Sequence, residues 1–518
     1  MMLTFGFFDE GDADRAVLGG KGAGLVEMVR LGLPVPPGFV IGTPCGRAYL
    51  ADDTLPGELP AELTTRLAVL ESATGRRFGD DSDPLLVSVR SGAPVSMPGM
   101  MDTILNVGLT ERGARALAER TGDAWFAWTS LERLLDGFAR TVRRIGTGEI
   151  EDVLLDLPVE PDPARAAQTR CEALLELLGD FPDAQGQLLE AIEAVFRSWT
   201  SRRARAYRKH KGIDEDMGTA VVVQTMVFGN RDADSGSGVA FTRDPSTGAR
   251  GAFGDFLFTA QGEDVVSGEH DTDPLPVISD RLPEVYDQLL ATFETLEKHT
   301  RDLCDVEFTI ESGELYILQT RVGQRSGRAA VALAVDLVDE GLIDIAEARE
   351  RVSDEQLAAA TAPRFPDEPE PEAVIARGLA ASPGAVTGRA AFDADRAQQM
   401  HDNGDDVVLL RPTTSPADLP GVIASVGVVT GRGGRTSHAA VVARGMGRAA
   451  VCGAGELTVA PDRRSASLSG YYLTEGEPIS VDGDRGIVSR GERRSAPAAE
   501  TDAAIARFLG WRSTTPTP

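Results

Sequence analysis

The 518-residue sequence contains only four lysines, four cysteines and five histidines, and it has no long apolar run. No stretch reaches the roughly 20 apolar residues of a membrane-spanning helix. The first ten residues, MMLTFGFFDE, lack the basic region and the cleavage site of a signal peptide. These absences predict a cytoplasmic protein with no membrane partner.

The four cysteines, Cys45, Cys171, Cys304 and Cys452, lie far apart and form no CxxC pair. Neither a zinc site nor a disulfide framework is therefore indicated, and we expect free, mostly buried thiols. Acidic residues dominate the charge, which is -28 at pH 7. This balance argues against nucleic acid as a partner, and it requires that any anionic ligand bind in a locally positive pocket.

With 42% hydrophobic and 25% charged residues, the composition is that of a folded protein, and its length predicts about two to four domains. Arginine occupies most of the basic positions. A lysine that is kept is therefore a candidate for a residue that the function requires. Lys21 stands in LGGKGAGLVEM, where glycines allow close backbone approach to an anion and an amphipathic helix is expected to follow. The motif indicates a phosphate loop that is not a Walker loop; the alternative is a glycine-rich turn before a helix.

Arg90 stands at the end of a strand-like run in PLLVSVRSGAPVSMPGMMDTILNVGL. A guanidinium group at the start of a flexible loop can bind a phosphate through two hydrogen bonds. The alternative is a surface turn with a solvated arginine.

A β-rich segment, Thr219 to Gly268, precedes DVEFTIESGELYILQTR, which predicts a hairpin that turns at Ser312 and Gly313. Asp305 and Glu307 share one face of its first strand, and Gln319 and Arg321 share one face of the second. If Glu307 pairs with Gln319, all four side chains point the same way and form a site for Mg²⁺ bound to nucleotide phosphates. A slip of one residue would instead give an exposed polar face.

Apolar residues at helical spacing between Arg328 and Ala360 predict two helices joined by a short turn. The stretch PRFPDEPEPE then predicts an extended, semi-rigid linker at a domain boundary. A second compact unit with strands at VVLL, VGVVT and AAVCG follows from about Val374, and we expect the residues after Arg493 to be a flexible tail.

The stretch GRGGRTSHAAVVARGMG places His438 at the start of a short helix, because Thr436 and Ser437 are good N-cap residues. Free backbone amides and the helix dipole favour a phosphoryl group on an imidazole there. His438 is thus a candidate nucleophile, and the alternative is a structural histidine.

Five motifs in order resemble those of the pyruvate phosphate dikinase family: SVRSGAPVSMPGMMDT, GSGVAFTRDPSTG, AQGEDVVSG, DVEFTIESGELYILQTR and GRGGRTSHAAVVARGMG. The resemblance extends to about residue 490. It implies an α/β and α+β multidomain protein with an ATP-grasp-like nucleotide-binding domain at 1–325 and a swivelling β/β/α phosphohistidine domain at 374–492. Residues 326–373 would be the helical hairpin and linker, and residues 493–518 the flexible tail.

The resemblance also implies roles for individual residues. Lys21, Arg90 and Arg133 would hold the phosphates of ATP. Asp305, Glu307 and Gln319 would bind Mg²⁺ and nucleotide, with Glu307 and Gln319 as the metal ligands and Arg321 assisting. His438 would be phosphorylated, and Thr436 matches a threonine at which some family members are regulated by phosphorylation.

The sequence departs from the family pattern at three positions. Arg435 replaces the usual methionine before Thr436, Thr413 replaces a glutamate before the TSP triplet, and an arginine expected after VVSG is absent around His270. In the family, a barrel domain that binds pyruvate and phosphoenolpyruvate follows the histidine domain, and this sequence stops before it.

The function expected from the resemblance is an ATP-dependent phosphotransferase of the dikinase type. ATP, with phosphate or water as co-substrate, would phosphorylate His438 and release AMP. The phosphoryl group would then pass to pyruvate on a separate barrel-domain protein. Two alternatives stay open: a stand-alone kinase whose small-molecule acceptor docks on phospho-His438, and a phosphocarrier or regulatory protein that transmits its state to a partner.

Overall fold

The computed structural model of the protein divides into two compact units. The first comprises Met1–Val227 with Tyr316–Gln319, and the second comprises Phe228–Leu315 with Thr320–Pro518. The structure describes residues 2–9, 11, 14–95, 97, 100–266, 270–362, 364–434, 436–455, 457–495 and 502–513. The predicted ATP-binding region 1–325 is therefore distributed over both units, and its last part, Phe228–Leu315 and residues 320–325, shares a unit with the predicted histidine domain.

The first unit is built on an antiparallel sheet in the order β1-β2-β7-β5-β6, covered by helices. Its strands are β1 (Thr4–Gly6), β2 (Gly38–Ile41), β3 (Arg77–Phe78), β4 (Pro84–Leu85), β5 (Val87–Gly92), β6 (Thr103–Val107) and β7 (Ala220–Thr225). Its helices are α1 (Arg15–Arg30), α2 (Thr43–Asp52), α3 (Leu59–Thr74), α4 (Glu111–Thr121), α5 (Ala124–Gly137), α6 (Thr147–Leu155), α7 (Pro163–Leu178), α8 (Ala184–Ser198) and α9 (Arg202–Lys211). The central strand β7 is buried along its whole length, which explains its run of valines.

The second unit begins with a five-stranded sheet in the order β10-β9-β8-β11-β12. Its strands are β8 (Gly236–Arg243), β9 (Arg250–Phe258), β10 (Asp273–Pro274), β11 (Cys304–Glu311) and β12 (Glu314–Val322). The predicted hairpin is confirmed, because β11 and β12 are joined at Ser312 and Gly313, whose φ angles of 50° and 79° are those of a tight hairpin turn. The helices beside this sheet are α10 (Gly262–Val266), α11 (Val277–Arg281) and α12 (Pro283–Thr300).

Three helices follow the sheet: α13 (Gly327–Asp339), α14 (Ile345–Arg351) and α15 (Asp354–Thr361). Two helices were predicted in this region, and the prediction missed the break before α15. Ser353 marks this break. Its hydroxyl accepts a hydrogen bond from the Gln356 amide, and the Gln356 side chain accepts a hydrogen bond from the Ser353 amide. This capping box starts a new helix where periodicity alone indicates a continuous one.

The remaining strands form a mixed eight-stranded sheet in the order β13-β23-β22-β15-β16-β17-β18-β14 and a separate three-stranded sheet β19-β20-β21. The strands are β13 (Val374–Arg377), β14 (Leu379–Ser382), β15 (Ala385–Ala391), β16 (Val407–Arg411), β17 (Gly427–Thr430), β18 (Ala449–Cys452), β19 (Leu457–Val459), β20 (Ser465–Leu468), β21 (Tyr471–Thr474), β22 (Pro478–Asp482) and β23 (Ile487–Arg490). The helices are α16 (Ala394–Asp402), α17 (Leu419–Ala424), α18 (His438–Gly445) and α19 (Ala503–Ser513). The three predicted strands are confirmed as β16, β17 and β18, which run parallel to one another.

Alternate residues of these parallel strands enter two separate apolar cores. Val408 and Leu410 belong to one core, and Val407 and Leu409 belong to the other, which also contains residues of α16, α17 and α18. This alternation is the period-2 pattern of a strand that is buried on both faces. The chain is thus a mixed α/β multidomain protein, as the sequence predicts.

The end of the chain differs from the predicted flexible tail. Residues 503–513 form helix α19, and Ile505 and Phe508 are buried in the core that α13 and its neighbours form. Serine, threonine and proline near the end of the sequence suggested disorder, but the apolar residues of AAIARFLGW lie at helical spacing and bury one face. The linker is also packed, because the Arg493 guanidinium lies 4.2 Å from the centre of the buried Phe365 ring.

All four cysteines are buried free thiols, as predicted. Burial raises the pKa of the Cys304 thiol to about 11, so this side chain is a packing residue and not a nucleophile. Within the described residues, no helix combines the length and the apolarity needed to cross a bilayer.

Candidate functional site

The glycine-rich segment that contains Lys21 lies against the end of strand β5. Helix α1 is interrupted at Gly19, whose φ angle is 70°, and its second segment runs from there to Arg30. A helix thus follows Gly19, as expected, although this helix also contains the later glycines of the segment. A side chain at Gly19 would overlap the carbonyl oxygen of Gly92, and the Gly20 amide donates a hydrogen bond of 2.9 Å to the carbonyl of Ala93. The glycines are therefore required for close approach of two backbones.

This close approach brings two predicted phosphate-binding residues near each other. A Cβ atom built on Gly92 would lie 3.7 Å from the Cβ atom of Lys21. Arg90 is two residues earlier on β5, and its side chain is 8% exposed. One guanidinium nitrogen of Arg90 donates to the Gln224 side chain and lies 3.5 Å from the carbonyl oxygen of Leu318. Arg90 is thus a positioned guanidinium and not the solvated turn residue of the alternative interpretation.

Arg133, the third predicted phosphate ligand, is half-buried on α5 of the same unit. Its assignment to ATP stays a prediction. Lys21 lies beside Gly92, and Arg90 is on the same strand, in a chain with a net charge of -28. An anionic ligand of an acidic protein requires local positive charge, and the roles of Lys21 and Arg90 in binding phosphate stay predictions.

The second group of predicted residues lies on the hairpin. Asp305 is 4% exposed, and its Oδ2 atom accepts a hydrogen bond of 2.6 Å from the Arg321 Nε atom. Its other carboxylate oxygen, Oδ1, is buried and has no hydrogen-bond partner among the described residues. Burial raises the pKa of Asp305, although Arg321 opposes this shift. A buried carboxylate oxygen without a partner is costly, and a bound cation would satisfy it.

The chemistry of Asp305 and its neighbour Glu307, two carboxylates, is of the kind that a hard cation binds. Glu307 is half-buried on the same face of β11 as Asp305, and Gln319 is half-buried in the part of β12 that belongs to the first unit. Burial alone would lower the pKa of Arg321, but the carboxylates of Asp305 and Glu307 outweigh it and raise this pKa. No group of three or more His, Cys, Asp and Glu side chains placed to hold a metal occurs among the described residues. The Mg²⁺ site at Glu307 and Gln319 stays a prediction, because these two residues belong to different units.

His438 is the first residue of α18, as predicted. The hydroxyl of Ser437, the N-cap residue, accepts a hydrogen bond of 3.5 Å from the Ala440 amide. The imidazole is half-buried, and its Nδ1 atom is buried without a hydrogen-bond partner in the part of the chain that the structure describes.

Burial lowers the pKa of His438 from its ordinary value of 6.5, while the nearby Asp418 carboxylate acts in the opposite direction. A lowered pKa keeps the imidazole neutral and nucleophilic near pH 7. The shift also links protonation to stability. The contribution of His438 to the free energy of unfolding is present above pH 6.5 and is lost as the pH falls through the folded-state pKa.

We expect the rate of His438 phosphorylation to fall with decreasing pH, with a midpoint below 6.5. The physical reason is that only the neutral imidazole has a free electron pair for attack. NMR titration of the imidazole measures this pKa directly. A pKa of His438 at or above 6.5 would contradict the expectation.

The loop before His438 is held by a carboxylate on strand β9. Asp255 is 5% exposed, and its Oδ2 atom accepts hydrogen bonds of 2.8 Å from the Thr436 amide and 2.5 Å from the Thr436 hydroxyl. A Cβ atom on Gly434 would lie 2.6 Å from the same oxygen, so glycine is required there. Arg435, the departure from the family pattern, lies outside the described residues.

Sequence reasoning missed two charged residues of this region, Asp255 and Arg444. Arg444, in the last turn of α18, is 1% exposed and donates from Nε and Nη2 to the carbonyl of Ala381, at 3.2 Å and 2.8 Å. Its guanidinium lies 5.5 Å from the centre of the Phe241 ring on β8. The pattern GDFLF could have indicated Asp255 in the sequence. A charged residue inside an apolar strand needs a partner when it is buried.

We expect Asp255→Ala to loosen the loop that precedes His438. Hydrogen bonds to a charged group contribute about 1.5–3 kcal/mol each, so their loss should slow His438 phosphorylation by about 10-fold or more. Amide hydrogen exchange at Thr436 should become faster. Asp273→Ala, which removes an exposed carboxylate on β10, is the matched control. Unchanged exchange at Thr436 in Asp255→Ala would show that this contact does not hold the loop.

Two family models match the chain. The AMP/ATP-binding domain of pyruvate phosphate dikinase matches residues 51–290, and the mobile domain of PEP-utilising enzymes matches residues 403–486. The first range includes Arg90 and Arg133, and the second includes His438. The matches define the class of protein: a chain that combines an ATP-binding domain with a PEP-utilising mobile domain.

Relatives that are each named pyruvate, phosphate dikinase align with almost the whole chain. The protein of Clostridium symbiosum is 42% identical over 97% of this chain and 60% of its own length. The protein of Rhizobium meliloti is 44% identical over 95% of this chain and 58% of its own length. The chloroplastic protein 1 of Oryza sativa is 42% identical over 96% of this chain and 54% of its own length. The chain belongs to the pyruvate phosphate dikinase family, and it spans little more than half the length of these relatives.

Proposed function

We propose that the chain carries out the ATP-dependent half of a dikinase reaction in the cytoplasm, in which His438 accepts a phosphoryl group from ATP and AMP is released. One observation above all supports this proposal. A half-buried imidazole with a lowered pKa stands at the N-terminus of a helix. Free amides and the helix dipole at this point favour a negatively charged phosphoryl group.

The proposed reaction consists of two transfers of phosphorus groups. The electron pair on Nε2 of His438 attacks the β-phosphorus of ATP, the bond from this phosphorus to the oxygen of the α-phosphate breaks, and AMP leaves. The pyrophosphoryl group on His438 then loses its γ-phosphoryl group to inorganic phosphate or water. One phosphoryl group stays on Nε2, and Nδ1 carries the imidazole hydrogen throughout.

The first unit would bind the phosphates of ATP. Lys21 and Arg90 provide charge that is already oriented before the transfer, and Arg133 is the proposed third contact. A fixed charge of this kind stabilises the transition state more than the ground state, because it faces negative charge that develops during transfer. The fold that we propose for the ATP-binding region is ATP-grasp-like.

Asp305, Glu307 and Gln319 would hold Mg²⁺, with Arg321 fixing the carboxylate of Asp305. When bound, Mg²⁺ supplies a Lewis acid that neutralises phosphate charge as the leaving oxygen departs. The residues themselves orient the nucleotide, and the buried Oδ1 atom of Asp305 gains a partner.

The histidine domain, residues 374–492, would swivel between ATP and the second substrate. In the structure, its loop at Thr436 is bound to Asp255, so departure of the domain requires that these hydrogen bonds break. The Thr436 side chain is 4% exposed in this arrangement. Regulation by phosphorylation of Thr436 would therefore act on the undocked domain, because a phosphate on this hydroxyl would repel the Asp255 carboxylate.

The acceptor would be pyruvate, bound by a separate barrel-domain protein. We expect the chain alone to form no phosphoenolpyruvate from ATP and pyruvate. Addition of a separately purified barrel domain should restore the reaction, at a rate that increases with its concentration. Robust formation of phosphoenolpyruvate by the chain alone, surviving further purification, would show that an acceptor site lies within these residues.

Product analysis tests the proposed function. The chain is incubated with Mg²⁺ and ATP, with and without inorganic phosphate, and AMP, ADP and pyrophosphate are measured. AMP together with phosphate-dependent pyrophosphate supports phosphate as the co-substrate, and AMP without pyrophosphate supports water. Accumulation of ADP in place of AMP would contradict the dikinase reaction.

A further inference from the structure

A cavity of about 120 Å³ lies within the second unit. Residues of helices α13 and α15 and of strands β14, β15 and β18 line it, and we call it the α13 cavity. A Cβ atom on Gly384 would lie 3.3 Å from the Cβ atom of Ala449, so a larger residue there would crowd the cavity wall. None of the residues proposed for ATP, Mg²⁺ or phosphoryl transfer lines the α13 cavity.

The charged side chains on the wall of the α13 cavity are positive. Arg328 and Arg364 line it, and no acidic residue does within the described part of the chain. Nε of Arg328 donates a hydrogen bond of 3.1 Å to Asp502, and Nη1 of Arg364 donates one of 2.8 Å to Asp484. These ion pairs hold the two guanidinium groups in place but use only part of their five N–H donors each. The donors that remain can bind an anion.

A buried hydroxyl group lies on the same wall. Ser382 lines the cavity and is 1% exposed, and its Oγ atom is buried without a hydrogen-bond partner among the described residues. A buried polar group without a partner costs free energy, so a ligand that accepts the hydrogen of this hydroxyl would recover that cost.

Helix α13 begins at the wall of the cavity and has 13 residues. The Ser326 hydroxyl accepts a hydrogen bond of 3.1 Å from the Ala329 amide. Gly327 and Arg328, the first two residues of the helix, both line the cavity, and their amides have no acceptor within the helix. The positive end of the helix dipole therefore adds to the charge of the two arginines.

We propose that the α13 cavity is a binding site for a small tetrahedral oxyanion, with inorganic phosphate as the ligand. Guanidinium groups, a hydroxyl and helix amides are all hydrogen-bond donors, and a phosphate ion presents oxygen acceptors in several directions. The volume limits the size of the ligand. A cavity of about 150 Å³ holds a benzene molecule, whereas sites for larger organic ligands begin at about 300 Å³. The α13 cavity therefore accepts a free phosphate ion and excludes a nucleotide.

The position of the site gives the ion a second effect. Arg328 belongs to α13 and Arg364 precedes the histidine domain, whereas Ser382 on β14 is part of that domain. A bound phosphate would therefore fasten the domain to the helices beside it and stabilise the arrangement in which Thr436 is bound to Asp255. This second effect, unlike binding itself, rests on the proposed swivel of the histidine domain.

Isothermal titration calorimetry of the full chain with inorganic phosphate tests the proposal. ATP and Mg²⁺ are left out, so the result does not depend on phosphorylation of His438. We expect saturable binding with which sulfate competes, because the site contributes donors and sulfate has the same shape. Heat no greater than that of sodium chloride at the same ionic strength would overturn the proposal.

Two variants place the ion in the α13 cavity. Ser382→Ala removes the hydroxyl and should weaken phosphate binding about 5-fold, and Arg364→Gln removes a charged donor and should weaken it about 10-fold or more. Circular dichroism confirms that each variant is folded. Phosphate affinity that is unchanged in both folded variants would place the ion elsewhere and overturn the site.

Matched controls exist for both changes. Ser489 on β23 is also 1% exposed, and its Oγ atom is also buried without a partner among the described residues, but it does not line the cavity. Arg389 donates a hydrogen bond of 3.0 Å to Asp405, also away from the cavity. Ser489→Ala and Arg389→Gln should bind phosphate like the unchanged chain. A loss in these variants equal to that in Ser382→Ala and Arg364→Gln would overturn the site.

Hydrogen exchange followed by mass spectrometry separates binding from its effect on the swivel. Phosphate should slow exchange in the peptides that contain Gly327 and Gly384, and it should not do so in Arg364→Gln. Exchange at Thr436 should slow as well. Protection of the first two peptides without protection of Thr436 would support the site and overturn its effect on the swivel. Absence of protection at Gly327 and Gly384 would overturn the site itself.

Discussion

Replacement of His438 by alanine is expected to abolish formation of the phosphoenzyme. The change removes the nucleophile, so phosphorylation of the chain and release of AMP should both fall by about 10⁴-fold or more, to the background rate. The fold should persist, because the imidazole is only half-buried and the neighbouring Ala439 and Ala440 supply the apolar contacts of α18.

The matched control for this change is His401→Ala. His401 is an exposed histidine on α16, in the same part of the chain, and it has no role in the proposed chemistry. Phosphoenzyme should be measured by mass spectrometry and should be labile in acid and stable in base, as expected for a phosphohistidine. A phosphoenzyme that persists in His438→Ala would place the phosphoryl group on another residue.

The second large effect is expected from the positive charges of the first unit. Lys21→Ala and Arg90→Ala should each slow phosphoenzyme formation by about 10²-fold or more, on the order of 3 kcal/mol of transition-state stabilisation. The reason is that the ammonium and guanidinium groups stay in place while negative charge develops on the transferred phosphoryl group. Single-turnover rates at saturating ATP measure the effect without the contribution of binding.

Two further variants control for structural damage. Arg90 is buried and donates to Gln224, so Arg90→Lys keeps the charge and tests whether the bidentate geometry of the guanidinium is required. Lys298→Ala removes an exposed lysine from α12 and should leave the rate unchanged. Wild-type rates in a folded Lys21→Ala variant would show that the glycine-rich segment serves only to pack α1 against β5.

Much of the candidate site is visible in the sequence because its residues stand in local patterns. The hairpin around Asp305 follows from two alternating runs and a Ser-Gly turn, and the position of His438 follows from the Ser437 N-cap. In both cases, a few neighbouring residues determine the local backbone. The pairing of Glu307 with Gln319 stays a prediction.

The residues that the sequence did not reveal depend on contacts between distant parts of the chain. Asp255 and Thr436 are 181 positions apart, and nothing near either residue indicates the other. The interruption of α1 at Gly19 lies against the carbonyl oxygen of Gly92, and Ile505 and Phe508 of α19 are buried in the core around α13. Tertiary packing of this kind overrides local propensity.

The most direct measurement of the central claim follows the phosphorus atoms of ATP. The chain is incubated with Mg²⁺ and ATP labelled either at the β- or at the γ-phosphorus, and the peptide that contains His438 is isolated under basic conditions. The account predicts that the β-label is retained on this peptide, that the γ-label is lost to phosphate or pyrophosphate, and that AMP is the nucleotide product. Retention of the γ-label on the protein with ADP as the product would contradict it.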